Sequence, residues 1–496
     1  MNKPMRRVAV FCGLLILALL ARVNWVQFVQ ADELQNDTHN RRVAIEMFAH
    51  PRGDIIVDGE PITGSVETEG SDFRYKRTYT DGAMWAPVTG YASQAFGSNL
   101  LENVEDPILT GDDDRLFFNN TIDMLTGEEP SGGNVVTTLN ADAQRAAYEG
   151  LTNAGNGEAV RGAVAAMDPR TGAVLALAST PSYDPSDFAG NSEEDGEAWA
   201  AVQEENDPNN PMLNRALRET YPPGSTFKVV TAAAALENGL VDDVDEHTDT
   251  PVPYYLPDTD HQELSNETEG RCENASLRIA LIDSCNSVFG NLSATLGNDT
   301  MQEMAEEFGY NQGDDLQIPV RVEESVYPDD NRPQNAMAGI GQASNRATPL
   351  QMAMVAAAVA NNGTLMEPYM VDQLVAPNLN VIEQHEPREM SHPISAETAH
   401  ELQSAMESVV NDGPPQSAQI DGVRVGGKTG TAQRGENNSE PPYAWFISYA
   451  MTDEGSPVAV AVVVEDAGVD RDTISGSGLA APIAHDVMQA VLDSDN

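Results

Sequence analysis

Hydrophobic positions change their spacing along the chain. Val8 to Ala21 form an uncharged apolar run rich in Leu and Ala, preceded by Lys3, Arg6 and Arg7. From Asp32 to about Gly133 the apolar residues are scattered among Gly, Pro, Asn and Asp, which predicts short strands and turns. After Pro130-Ser-Gly-Gly133 the pattern sharpens: Val135 to Leu139 predict a strand, and Asn140 to Leu151 a helix opened by a polar cap. Gly162 to Ser179 predict a hairpin turning at Asp168-Pro-Arg-Thr-Gly172. Ala275 to Ile282, Pro349 to Ala360 and Ala396 to Val410 carry helical spacing, whereas Tyr443 to Ala450 and Val458 to Val464 read as strands. Helices lying between an early and a late group of strands predict an α+β domain, an antiparallel sheet packed with helices.

The basic flank and the apolar run have the form of an export signal. A cleaved signal would place Val29 and Ala31 as the small residues before the cut. An uncleaved anchor would extend toward Ala31, with Arg22 snorkelling. Arg22, Trp25 and Phe28 make a poor cleavage region and favour the anchor. The expected organisation is a cytoplasmic tail at 1–7, a transmembrane anchor at 8–31, a first folded region at 32–133 and a larger domain at 134–496. The positive flank stays inside, so residues from Asp32 onward are expected outside the cytoplasm.

Composition narrows the chemistry. The 78 acidic residues against 27 basic ones give a formal charge of −51, which repels phosphate backbones and argues against nucleic-acid binding. The acids are spread in short groups such as Glu193-Glu194-Asp195, as on a solvated surface. The histidines show no His-Glu-x-x-His and the cysteines no Cys-x-x-Cys, so neither a metal nor a cofactor is expected. Of the three cysteines, Cys12 lies in the apolar run. Cys272 and Cys285 are expected in an oxidising space, either bridged or as two buried thiols.

Three separated segments carry the chemistry. In Tyr221-Pro-Pro-Gly-Ser225-Thr-Phe-Lys228 a Pro/Gly turn meets an Ala-rich helix, so Ser225 and Lys228 are predicted side by side on its first turn, a nucleophile beside its base. In Asp283-Ser284-Cys285-Asn286, Ser284 can pass protons and Asn286 can bind an amide through both donor and acceptor. In Val425-Gly426-Gly427-Lys428-Thr429-Gly430-Thr431, glycines flank Lys428 on an alternating segment, which suits a strand that a substrate backbone approaches closely. Lys428, Thr429 and Thr431 would there face an anionic group. The same stretch matches a phosphate-loop spacing from Gly422 to Thr429, but the following Asn437-Asn438 and Pro441-Pro442 do not open the helix such a loop needs.

In this order and spacing, Ser-x-x-Lys, Ser-x-Asn and Lys-Thr-Gly resemble the penicillin-recognising serine transferases. The resemblance runs from about Asn134 to Leu492 and includes Met167-Asp168-Pro169, Gly339-Ile-Gly341-Gln342 and Thr348-Pro-Leu-Gln351. Within that family the chain is similar to class B penicillin-binding proteins, and Arg52-Gly53-Asp54-Ile55-Ile56 resembles their early pedestal motif. The modest pedestal and the Cys272, Cys285 pair are similar to the short actinobacterial group.

The resemblance implies a penicillin-binding transpeptidase fold behind an elongated, mostly β, non-catalytic pedestal. It implies a D,D-transpeptidase acting on peptidoglycan stem peptides, with β-lactams as covalent inhibitors and a separate membrane glycan polymerase as partner. Ser225 would be the nucleophile, Lys228 its base, and Ser284 with Lys428 the proton path to the leaving amine. Asn286, Thr429, Gly430 and Thr431 would hold substrate, and the backbone N–H groups of Ser225 and Thr431 would form the oxyanion hole. A carboxypeptidase or β-lactamase on the same fold differs in letting water resolve the acyl-enzyme, and the pedestal and anchor favour cross-linking over either. A non-catalytic β-lactam sensor would need further membrane spans or a signalling domain.

Overall fold

The computed structural model describes residues 3–30, 41–69, 72–116, 131–155, 160–204, 207–266, 271–312, 316, 318–435 and 438–494. Helix α1 (Lys3–Phe28) is exposed along its length, with a mean hydropathy of 2.1 in its apolar window. It is long and apolar enough to cross a membrane once. The helix therefore begins ahead of the expected 8–31 segment and closes at Phe28, while Ala31 and the residues to 40 lie outside the described residues.

Between residues 41 and 133 short strands alternate with short helices at Gly82–Thr89, Leu100–Val104 and Asp106–Thr110. The sequence predicted strands and turns there. These helices are too short to display a helical period, and it is burial of Met84, Trp85, Val88 and Leu101 that fixes them. Strand β1 (Ile55–Val57) runs parallel to β2 (Asn134–Thr137), with Ile55 opposite Val135. Both belong to one sheet of order Val381–Gln384, Val371–Val375, β2, β1, Glu60–Pro61. The expected boundary at 133/134 thus falls inside a shared sheet. Gly53 makes the join possible, because a Cβ there would sit 1.7 Å from the Gly133 carbonyl oxygen.

Helix α2 (Ala141–Asn153) follows, and its Asn140 cap accepts a 2.8 Å hydrogen bond from the Ala143 N–H. Next come the hairpin strands β3 (Arg161–Met167) and β4 (Val174–Thr180), then the helices α3 (Lys228–Glu237), α4 (Asn286–Leu296), α5 (Pro349–Ala360) and α6 (Ala396–Asp412). The long strands β5 (Arg424–Arg434), β6 (Glu440–Thr452) and β7 (Gly455–Asp466) and helix α7 (Ala481–Ser494) close the chain. The central sheet has the order β5-β6-β7-β3-β4, antiparallel throughout. Its two faces feed two cores by the period-two rule. Val458, Val460, Val462 and Val464 of β7 pack with α2 and α7, while Ala459, Ala461 and Val463 face the helical side. Burial on both faces explains why β7 reads as a continuous apolar run.

Candidate active site

The turn that carries Ser225 is held from several directions. Tyr221 and Ala347 exchange two 2.9 Å backbone hydrogen bonds, and the Gly224 N–H donates to the Gly341 carbonyl at 2.9 Å. The indole N–H of Trp445 on β6 donates to the Pro222 carbonyl at 3.0 Å. Gly224 and Gly341 are both at positive φ, and a Cβ on Gly341 would lie 2.1 Å from the Gly224 oxygen. This close approach accounts for the Gly339 to Gln342 segment singled out in the sequence.

Gly224 to Phe227 form a 3-10 turn, and the α-helix proper begins at Lys228. The sequence placed both residues on one helical turn; the tighter winding brings Ser225 and Lys228 to the same side, because side chains three apart eclipse in this geometry. Ser225 is half-buried, whereas Lys228 and Lys428 are fully buried.

The three segments meet around Ser284. Lys228 Nζ donates to the Ser284 carbonyl at 2.7 Å, to Ser284 Oγ at 3.2 Å and to Asn286 Oδ1 at 2.7 Å. Lys428 Nζ reaches the same Ser284 Oγ at 3.1 Å from the opposite side and donates to the Thr429 carbonyl at 2.9 Å. One hydroxyl therefore joins two buried amines. The shared hydroxyl gives the two amines a route for proton exchange. Ser284 sits at φ 55°, a left-handed conformation unusual for serine and a form of strain that clusters at functional sites. The next residue, Cys285, is bonded to Cys272 (Cα to Cα 5.6 Å).

Lys428, Thr429, Gly430 and Thr431 lie on β5, so the phosphate-loop match runs from a turn at Gly422 into a strand and opens no helix. Gly427 packs under the Phe446 ring, and a Cβ on Gly430 would press 3.1 Å from the Pro223 carbonyl, so both glycines let β5 lie close to its neighbours. Ser225 and Thr431 line two grooves that meet at Ser225, one passing Ser284 and Thr429, the other passing Asn286.

Sequence reasoning missed an outer layer. Arg434 at the end of β5 stacks on the Tyr443 ring (4.8 Å) and pairs with Glu465 at 3.2 Å. Tyr443 packs edge-on against Tyr221, which leads into the turn that carries Ser225. These residues are single aromatic or charged positions on four segments, so no local pattern marks them. The groove residues Ser265 and Gln433 carried no signal either. Among the described residues no group of His, Cys, Asp and Glu is arranged to hold a metal ion.

Residues 162–489 match the family described as the penicillin binding protein transpeptidase domain. Residues 52–135 match the penicillin binding protein A dimerisation domain. The chain is 40% identical to the peptidoglycan D,D-transpeptidase PbpA of Mycolicibacterium smegmatis over 99% of both chains. It is 39% identical to the PbpA of Mycobacterium tuberculosis over the full length of both. It superposes on penicillin-binding protein A of M. tuberculosis as its ceftriaxone acyl-enzyme with a TM-score of 0.84, at 39% identity, covering 90% of this chain and 100% of that one. The penicillin G acyl-enzyme of the same protein gives a TM-score of 0.82 at 38% identity, covering 89% of this chain and 100% of that one. The chain belongs to the penicillin-binding protein transpeptidase family, within the PbpA type.

Proposed function

We propose that the protein is a peptidoglycan D,D-transpeptidase that cross-links stem peptides through an acyl-enzyme on Ser225 and is inhibited covalently by β-lactams. The observation that carries this reading is Ser284 Oγ held between Lys228 and Lys428, beside a half-buried Ser225 at the junction of two grooves. Ser225 Oγ attacks the carbonyl carbon of the penultimate D-alanine, and its proton passes to neutral Lys228. The backbone N–H groups of Ser225 and Thr431 take the negative charge that develops on the carbonyl oxygen. Collapse breaks the peptide bond. The departing D-alanine nitrogen receives the proton by way of Ser284, whose hydroxyl both lysines touch.

The acyl group now forms an ester with Ser225. An amine of a second stem attacks that ester, loses its proton along the same path and restores the serine. Thr429 and Thr431, with Lys428 behind them, take the terminal carboxylate of the donor, Gly430 lets the donor backbone approach β5, and Asn286 holds its amide. In a β-lactam the amine that leaves stays tethered to the acyl group, so it blocks the second step.

The reading includes a division into a tail at 1–7, an anchor at 8–31, a pedestal at 32–133 and a transpeptidase domain at 134–496. The catalytic domain faces the outside of the cytoplasm, and a separate membrane glycan polymerase supplies the strands. Support for that orientation comes from Lys3, Arg6 and Arg7 ahead of the apolar helix and from the disulfide, a bond of oxidising compartments.

The test is intact mass of the soluble ectodomain after benzylpenicillin treatment. One stable adduct that Ser225→Ala removes, with the fold preserved by circular dichroism, is the expected result. A folded protein without an adduct would overturn the reading, and rapid turnover of the adduct would identify a β-lactamase instead.

A further inference from the structure

The two grooves that leave Ser225 differ in charge. One passes Asp283, Asp412 and Thr429. The other passes Asn286 and Gln433 and reaches Arg471. The Thr429 side takes the terminal residue that leaves, so the remainder of the donor strand runs along the second groove. Arg471 is exposed there, and its recorded bonds go to neutral oxygens: Nη2 donates to Gln433 Oε1 at 2.8 Å and Nη1 to the Glu440 carbonyl at 2.5 Å. Among the described side chains no carboxylate is paired with it. In a chain of net charge −51 a guanidinium at the end of the substrate groove, without a carboxylate paired to it among the described side chains, is a distinctive charge.

Its position is fixed by Gln433, which lies on β5 two residues beyond Thr431. At a strand's rise this offset is about 7 Å, the reach of roughly two residues of an extended peptide lying along β5. A guanidinium so placed matches a carboxylate in bidentate geometry.

We propose that Arg471 is a specificity residue for the donor strand, taking a carboxylate that the donor bears about two residues upstream of the scissile bond. The inference rests on the transpeptidase reading above and names a chemical feature of the donor it uses.

The experiment compares two synthetic peptides ending in D-alanyl-D-alanine that differ only in a free carboxylate or a carboxamide at that upstream residue. Each is tested for protection of Ser225 in the ectodomain against a fluorescent penicillin. The carboxylate peptide should protect at about tenfold lower concentration, the scale of one charge-assisted contact at a solvated site. Arg471→Gln should bring the two concentrations together, and Arg471→Lys should restore part of the difference. Equal protection by the two peptides on the native chain, no protection by either, or a preference that survives in Arg471→Gln would each overturn the inference. Penicillin labelling of the native chain is read in the same assay, and its absence would count against the transpeptidase reading instead.

Discussion

Ser284 shows how much rests on one backbone torsion. Its φ of 55° turns the side chain between Lys228 and Lys428, and its carbonyl also accepts from Lys228. Two variants separate conformation from chemistry. Ser284→Gly keeps the left-handed torsion cheaply, whereas Ser284→Ala must hold a Cβ in it. The glycine variant should therefore be the more stable by about 1 kcal/mol in denaturant unfolding. Both lack the hydroxyl and should acylate with benzylpenicillin about a hundredfold or more slowly, the weight of a proton-transfer group. Equal stability of the two would remove the strain argument, and near-native acylation by either would remove Ser284 from the proton path. The meeting of Lys228, Ser284, Asn286 and Lys428 was legible in the sequence from residue types and motif spacing. The left-handed torsion was not, since serine rarely adopts it and only the packing of three segments imposes it.

At the scale of elements, the hairpin of β3 and β4, the helices α2, α5 and α6, and the strands β6 and β7 followed from apolar spacing. The Ser225 segment departed from that reading: Gly224 to Phe227 wind as a 3-10 turn because Trp445, Gly341 and Ala347 hold the turn from outside. The segment carrying Ser284 is braced differently, by the bond between Cys272 and Cys285 thirteen residues apart. A closed loop of that length restricts the unfolded chain, and its loss costs about 3 kcal/mol in the chain-entropy account. The double variant Cys272→Ser, Cys285→Ser should accordingly unfold at lower denaturant. It should also acylate more slowly, because Cys285 fixes the neighbouring Ser284 between Lys228 and Lys428. Slower acylation without any change in unfolding midpoint would confine the bridge to positioning, and no change in either would deny it both roles.

Across the whole molecule the strongest departure from a bead-like arrangement is the sheet that carries β1 and β2 together. Strand pairing between distant segments leaves no local signal, so the parallel ladder that spans the expected 133/134 boundary was not legible in the sequence. Arg52 and Gly53, just ahead of β1, reinforce the junction. Arg52 pairs with buried Glu102 at 3.0 Å and with Asp106 at 2.7 Å, and Glu102 also accepts from Arg77 at 2.6 Å. Arg77 and Glu102 are both fully buried, so one carboxylate is shared by two guanidiniums, with Asp106 beside Arg52 and Asp54 beside Arg77 supplying further negative charge.

Glu102→Gln removes that charge while keeping the shape, and leaving buried cations unbalanced should cost about 3–5 kcal/mol. If the shared sheet couples the regions on either side of residue 133, calorimetry of the ectodomain will show one transition moved to lower temperature. A separate early transition, with the main one unmoved, would mean that the segment before residue 133 unfolds on its own and that the ladder between β1 and β2 contributes little. The variant should still form the penicillin adduct below its transition, since Glu102 lies in the first folded region, away from Ser225 and the grooves that meet there.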